Sequence, residues 1–204
     1  MIAFDIETMK DESKIDLLPE PTADSRLKDP AKIEADKEKK REEQISKMAL
    51  SPWFGTIASI AITSECRIVG RDGDEKEIVQ QALDTLTTTP FCTYNGYNFD
   101  VPFLYIRAMI LGCSVKRPLS VVSRKFSHDQ HIDVMQELTG WGREKYLSMN
   151  EAAKRLLSKE KEDFDVLQIP QLLADKKYDT LESYNLKDTE LTLELYDVCS
   201  RYLF

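Results

Sequence analysis

Asp5 and Glu7 lie two residues apart in the opening run Ile-Ala-Phe-Asp-Ile-Glu-Thr (2–8). On a strand, side chains i and i+2 leave the same face, so both carboxylates point one way. Two like charges on one face of a mostly apolar strand repel and are costly to bury, and a bound cation removes both penalties. A third carboxylate, Asp100, closes Asn-Gly-Tyr-Asn-Phe-Asp (95–100), and Pro102 follows shortly after it. That pattern marks a strand-to-helix junction with Asp100 near a helix N-terminus, where an Asp can cap the helix or bind a metal. A fourth, Asp188, follows Tyr184 in Tyr-Asn-Leu-Lys-Asp (184–188). On a helix, residues at i and i+4 stack on one face, so phenol and carboxylate are neighbours. Each signal alone has a plain reading: strand-end acids, a helix cap, a core tyrosine, a solvated face. Together, four acids that local structure can aim at one point need a divalent cation. The chemistry they suit is metal-assisted cleavage of phosphodiesters.

The elements that must position these groups are legible in the pattern. Residues 1–6 read as a short buried strand. Residues 10–50 are rich in Lys, Glu and Asp. Within them Asp29-Pro30 is a helix start, with Asp as N-cap and Pro at the first helical position. The helix that follows has almost no apolar face until Ile45 and Met48, so it reads as a solvated protrusion; the sharper reading is a flap over bound substrate. Residues 55–63 form a strand, 66–69 its hairpin partner, and Asp72-Gly73 a turn. Ile78, Val79, Ala82, Leu83 and Leu86 share one face of a helix over 75–86. Strands at 90–94 and 131–134 bracket an apolar helix over 101–111 that Gly112 stops. Ser148 and Glu151 form a capping box before a helix over 152–157, and Asp179 with Glu182 a second one opening the last helix to about residue 202. Pro170 opens a short helix through residue 174. Strands first, then helices alternating with strands, predict a three-layer α/β domain with a mixed central sheet flanked by helices. No repeat or linker divides it, so residues 1–204 read as one domain with an insertion at 10–50.

The chain has 204 residues and a net charge of −8. That balance argues against a protein that coats nucleic acid by bulk electrostatics. It does not exclude a nuclease, because divalent ions neutralise a carboxylate cluster locally. The four cysteines, Cys66, Cys92, Cys113 and Cys199, form no CxxC pair and read as buried, reduced thiols of a reducing compartment. Acids interrupt the N-terminus where the apolar core of a signal peptide would lie. The most apolar window, residues 101–113, is too short for a membrane span and carries Arg107. A soluble, cytoplasmic protein with no membrane partner is expected.

In their order and local settings these segments resemble the DEDD superfamily of 3′→5′ exonucleases, whose fold is ribonuclease H-like. The family's first motif, Asp-x-Glu on the first strand, is similar to Asp5-Ile6-Glu7. Its second, Asn-x-x-x-(Phe/Tyr)-Asp, is similar to residues 95–100. Its third ends in Asp, with Tyr four residues earlier or His five. Position 184 is Tyr and position 183 is Ser, so the chain looks like the tyrosine branch. Residues 95–104, His131-Ile-Asp133 and the helix at 148–157 are similar to stand-alone relatives of the exonuclease domain of family-B DNA polymerases. The resemblance covers residues 1–8 and about 53–204 and leaves the insertion unexplained.

It implies that Asp5, Glu7, Asp100 and Asp188 hold two Mg²⁺ or Mn²⁺ ions, hard cations suited to all-oxygen ligation. Such ions lie about 3.5–4 Å apart and clamp an in-line displacement. Tyr184 would orient the attacking water as a neutral phenol, its reference pKa being about 10. Backbone near Thr8 and the ring of Phe99 would meet the terminal nucleotide. Asn95 is a further substrate contact, and Tyr97 and Phe103 are rings able to stack a frayed end. Lys116-Arg117 and Arg124-Lys125 are candidate phosphate contacts; Asp133 receives no role. The expected activity is release of nucleoside 5′-monophosphates from single-stranded or frayed 3′ ends, DNA favoured. The chain has no room for a polymerase, so proofreading would act in trans with a replication or repair partner. The rivals are an exoribonuclease on short RNA and a catalytically silent nucleic-acid-binding module of the same fold.

Overall fold

The computed structural model describes residues 1–203. The chain opens with β1 (Ile2–Lys10) and then makes a long excursion. This comprises a 3₁₀ turn (Glu12–Leu17), α1 (Pro30–Ser46) and a second 3₁₀ turn (Met48–Leu50). It returns to β2 (Gly55–Ile62), β3 (Glu65–Ile68), α2 (Glu75–Leu86) and β4 (Phe91–Thr93). Then follow α3 (Asp100–Leu111), α4 (Leu119–Val122), β5 (His131–Asp133), α5 (Val134–Leu138) and α6 (Met149–Leu156). A third 3₁₀ turn (Val166–Gln168), α7 (Ile169–Ala174) and α8 (Tyr178–Ser200) complete the fold. The sheet has five strands in the order β3-β2-β1-β4-β5. β1 pairs antiparallel with β2 and parallel with β4, so the sheet is mixed.

Strand alternation sends apolar side chains to both faces, and helices cover both. Phe4, Ile6, Ile57, Ile60 and Phe91 pack against the apolar stripes of α2 and α3. On the other face Ala3, Cys92 and Ile132 meet α5, α6 and α8, while Ala58, Ala61 and Ile68 meet α7 and the start of α8. Ile57 and Ile60 share a core because the β1–β2 register passes from Glu7↔Ser59 to Thr8↔Ile57, leaving Ala58 as the extra residue of a β-bulge. This is the expected three-layer α/β fold with its charged helical insertion.

Differences from the sequence reading at three elements bear on the site and its supports. β1 runs to Lys10 instead of ending near residue 6, because Thr8, Met9 and Lys10 continue the pairing onto β2. The first two acids therefore lie in mid-strand. α8 starts at Tyr178 with Lys177 as an N-cap that makes no side-chain bond. Asp179 is thus inside the first turn, where it faces the helix dipole, and the second capping box does not form. The first box, Ser148 with Glu151, does. Unforeseen, α5 follows β5 directly, capped by Asp133.

The insertion is tied down at its base and solvated along its length. Asp29 caps α1 as expected, and α1 buries no residue. Arg41 donates to the carbonyls of Ile15 and Leu18, closing the excursion on itself. Met48, 1% exposed, anchors its return. At Gly55 the chain passes so close that a Cβ would come within 2.9 Å of the Met48 carbonyl oxygen.

Candidate active site

β1 outruns its parallel neighbour. Its pairing with β4 involves Ile2 and Ala3 only, so beyond Ala3 one edge of β1 lies past the C-terminal end of β4. Into this space the chain inserts the start of α3. The Asp100 carboxylate accepts the Ile6 backbone N–H (3.2 Å), which fixes it beside the two acids of β1. From the facing layer α8 brings Asp188. One carboxylate oxygen each from Asp5, Glu7 and Asp188 lies within 4.8 Å of the others. Glu7, Asp100 and Asp188 are buried and Asp5 is half-buried.

Unneutralised acids this close hold protons. Burial, then the charge of Asp188, pushes Glu7 up from 4.5 to about 8. Burial raises Asp100 from 3.8 to about 7 against the lowering effect of the Ile6 N–H. Burial and the charges of Asp100, Glu7 and Asp188 raise Asp5 well above its ordinary range. Asp188 also rises through burial, with Lys161 acting against the shift.

Lys161 is a residue of the carboxylate cluster's surroundings that sequence reasoning missed. Its Nζ donates to the Tyr184 hydroxyl (2.7 Å) and to the Asp188 carboxylate, and it lies 4.4 Å from the centre of the Tyr184 ring. Phe164 stacks on Tyr184 with centroids 4.1 Å apart, fixing the phenol's plane. Burial and then the charge of Asp188 push the phenol's pKa upward, so Tyr184 is protonated at neutral pH. Asn185, fully buried, donates from Nδ2 to Asp5 (3.3 Å), while its Oδ1 has no partner.

The loop that carries Asp100 is built by Asp133. Its carboxylate accepts the N–H groups of Asn95 (2.9 Å), Tyr97 (2.8 Å) and Gln136 (3.2 Å). Asn95 takes a left-handed conformation, φ 67°, and its side chain accepts from Asn98, so it shapes the loop. Phe99 is half-buried against the core. Thr8 turns its hydroxyl to the Ala49 carbonyl (2.7 Å), joining the strand to the base of the insertion.

Two expectations are corrected. Phe103 is 2% exposed inside the α2–α3 core and has no face left for a base. Arg117 is structural, donating to the Thr87 carbonyl and to Gln130. Lys116 forms an exposed pair with Asp84 of α2 (2.7 Å).

This fold, with acids of its first strand, a mid-chain helix start and its last helix gathered at one strand edge, defines an exonuclease-like α/β domain. Residues 56–202 match a family described as predicted 3′-5′ exonucleases related to the exonuclease domain of PolB, and the chain belongs to that family. The matched span includes Asp100, Tyr184 and Asp188; Asp5 and Glu7 precede it. The chain is similar to DNA polymerase 1 of Sulfolobus acidocaldarius, with 31% identity over 133 residues, which is 59% of this chain and 15% of the polymerase. It is also similar to DNA polymerase 1 of Saccharolobus solfataricus, with 28% identity over 140 residues, 62% of this chain and 15% of the polymerase. Each match thus spans about 15% of the polymerase's length. The family B DNA polymerase of Pyrobaculum calidifontis superposes with a TM-score of 0.59 at 16% identity, over 98% of this chain and 24% of that one. At that identity the likeness shows the fold.

Proposed function

We propose that this domain is a metal-dependent 3′→5′ exonuclease that releases nucleoside 5′-monophosphates from single-stranded or frayed 3′ ends, with DNA the favoured substrate. The observation that carries this is the convergence of Asp5, Glu7 and Asp188 oxygens within 4.8 Å, beside an anchored Asp100. The donors fit a hard divalent cation: all are oxygens, all are crowded by like charge, and Lys161 is the cation that opposes that charge. Asp5, Glu7, Asp100 and Asp188 would hold two Mg²⁺ or Mn²⁺ ions, which when bound acidify a water and offset charge on the departing 3′ oxygen.

The chain's own groups position the reaction. Lys161 donates to the Tyr184 oxygen, so the phenolic proton stays available to Asp188 or to a water beside it. A phenol held neutral orients a nucleophile and does not abstract its proton. Phe164 and Lys161 hold that phenol in place, and Asn185 steadies Asp5. Asp133 keeps the Asn95–Asp100 loop in register, and through it Asp100 and Phe99. Phe99 and the backbone near Thr8 would meet the terminal nucleotide.

The test is a product ladder. Single- and double-stranded DNA and RNA, labelled at the 5′ end, are incubated with Mg²⁺, Mn²⁺ or EDTA. Stepwise shortening of single-stranded DNA that EDTA abolishes is expected. Asp5→Asn should slow it by about 10²–10³-fold, the cost of removing one such electrostatic group. Mg²⁺-dependent shortening at full rate by Asp5→Asn would reject the assignment.

A further inference from the structure

Beyond Asp133, two loops carry aromatic side chains to the same patch of surface. Phe126, in the turn before β5, is 66% exposed. Its ring centroid is 5.0 Å from that of Trp141, and Trp141 is in turn 5.2 Å from Tyr97, edge to face. Phe126 and Trp141 both have left-handed backbones, φ 64° and 58°. Large side chains rarely take that conformation, and where they do the strain clusters at ligand clamps and other functional sites. Gly140 and Gly142, φ 56° and 91°, flank Trp141, so the segment presents the indole from a left-handed run. The Trp141 N–H groups are satisfied from below: the backbone donates to Gln136 and the indole to Glu137. The ring itself is left half-exposed.

Cations border the rings. Lys125 Nζ lies 4.9 Å from the Phe126 centroid and 5.8 Å from that of Trp141. Arg124 and Arg143 are exposed on the same two loops. Among the described residues, none of these three pairs with a carboxylate. Rings bordered by unpaired cations suit single-stranded nucleic acid, whose bases offer a free face and whose backbone offers charge. A duplex keeps its bases stacked on each other.

One loop joins the patch to the candidate active site. Tyr97 belongs to the Asn95–Asp100 loop, and its N–H is held by the carboxylate that also holds Asn95. Three Cα steps separate Tyr97 from Asp100, at most about 11 Å. That is the length of about three stacked nucleotides at about 3.4 Å each.

We propose that Tyr97, Phe126 and Trp141 form a stacking platform for the bases a few nucleotides upstream of the scissile bond, with Lys125, Arg124 and Arg143 at their phosphates. The platform would hold the strand leading into the carboxylate cluster. This proposal rests on the exonuclease reading, and its test is separable from that reading.

Binding is measured by fluorescence anisotropy of a labelled single-stranded 12-mer in Mg²⁺, in an Asp5→Asn background where the strand is consumed too slowly to matter over the reading. Phe126→Ala and Trp141→Ala together should weaken Kd by about 5- to 150-fold, the effect of one lost stacked base. Phe126→Tyr with Trp141→Phe keeps a ring at both positions and should restore Kd to within about threefold of the parent. A Kd within twofold of the parent for the alanine pair overturns the platform. So does a ring-retaining pair that binds as weakly as the alanine pair, because loop distortion would then explain the loss. Failure of the exonuclease reading shows separately, as wild-type protein that yields no ladder whatever it binds.

Discussion

Glu7 carries the sharpest consequence of gathering acids around β1. Its carboxyl is raised from 4.5 to about 8, and Asp100 moves the same way, from 3.8 to about 7. Between the ordinary and the folded value, the folded protein keeps a proton that the unfolded chain releases, so stability falls as pH rises through that window. His131 acts oppositely: buried between Thr93 and Ser123, its imidazole is lowered from 6.5 to about 3. Its effect is a gain in stability with rising pH that levels off above about pH 6.5. The carboxylates therefore outweigh it between pH 6.5 and 8. In EDTA the melting temperature should fall across that interval. At pH 8, Mn²⁺ should raise it again by replacing protons with a cation. Glu7→Gln should flatten the fall and shrink the response to Mn²⁺. Thermal melts against pH, with and without the ion, check all three; a rise with pH in EDTA would contradict the account.

Among the elements, the insertion separates solvated length from buried anchor. Met48 is 1% exposed beneath the close approach of Gly55, whereas α1 buries nothing. Met48→Ala should cost about 2–5 kcal/mol in urea unfolding, the usual penalty for emptying a core site of that size. Replacing residues 20–44 with a short Gly-Ser linker should cost less than that single substitution and should spare hydrolysis of the 3′ end. This contrast shows which parts of the fold were readable beforehand. The face of α2 formed by Ile78, Val79, Ala82, Leu83 and Leu86 was legible because amphipathic spacing is a local signal. The Asp29 cap and Gly112 stop were legible for the same reason. Lys161 was not, because it lies 27 residues before Asp188 in a charge-rich stretch that resembles any solvated loop. Asp133 was passed over because its partners, Asn95 and Tyr97, lie 38 and 36 residues earlier. Phe103 was misplaced because a helical aromatic spaced like its neighbours reads alike whether it faces a core or a substrate.

For the whole molecule, charge decides how a substrate can be held. A net charge of −8 and a pI of about 5.0 give no long-range attraction for a polyanion. On the proposed function, affinity would then come from a few local contacts: ions that the carboxylates would hold, and the cations beside the rings of Phe126 and Trp141. Such a design has a measurable signature. Each phosphate neutralised on a single strand contributes about −0.7 to the slope of log K against log salt. Three contacts, from Lys125, Arg124 and Arg143, predict a slope near −2, far shallower than that of a protein that tracks the backbone along a basic groove. Lys125→Gln should reduce its magnitude by about 0.7, with no change in preference among base sequences, because a phosphate contact carries no sequence information. Titrations of the 12-mer at several monovalent salt concentrations, with Mg²⁺ held constant, supply the slope. A value steeper than about −5 would require many more cationic contacts than this surface offers and would place the strand elsewhere on the protein.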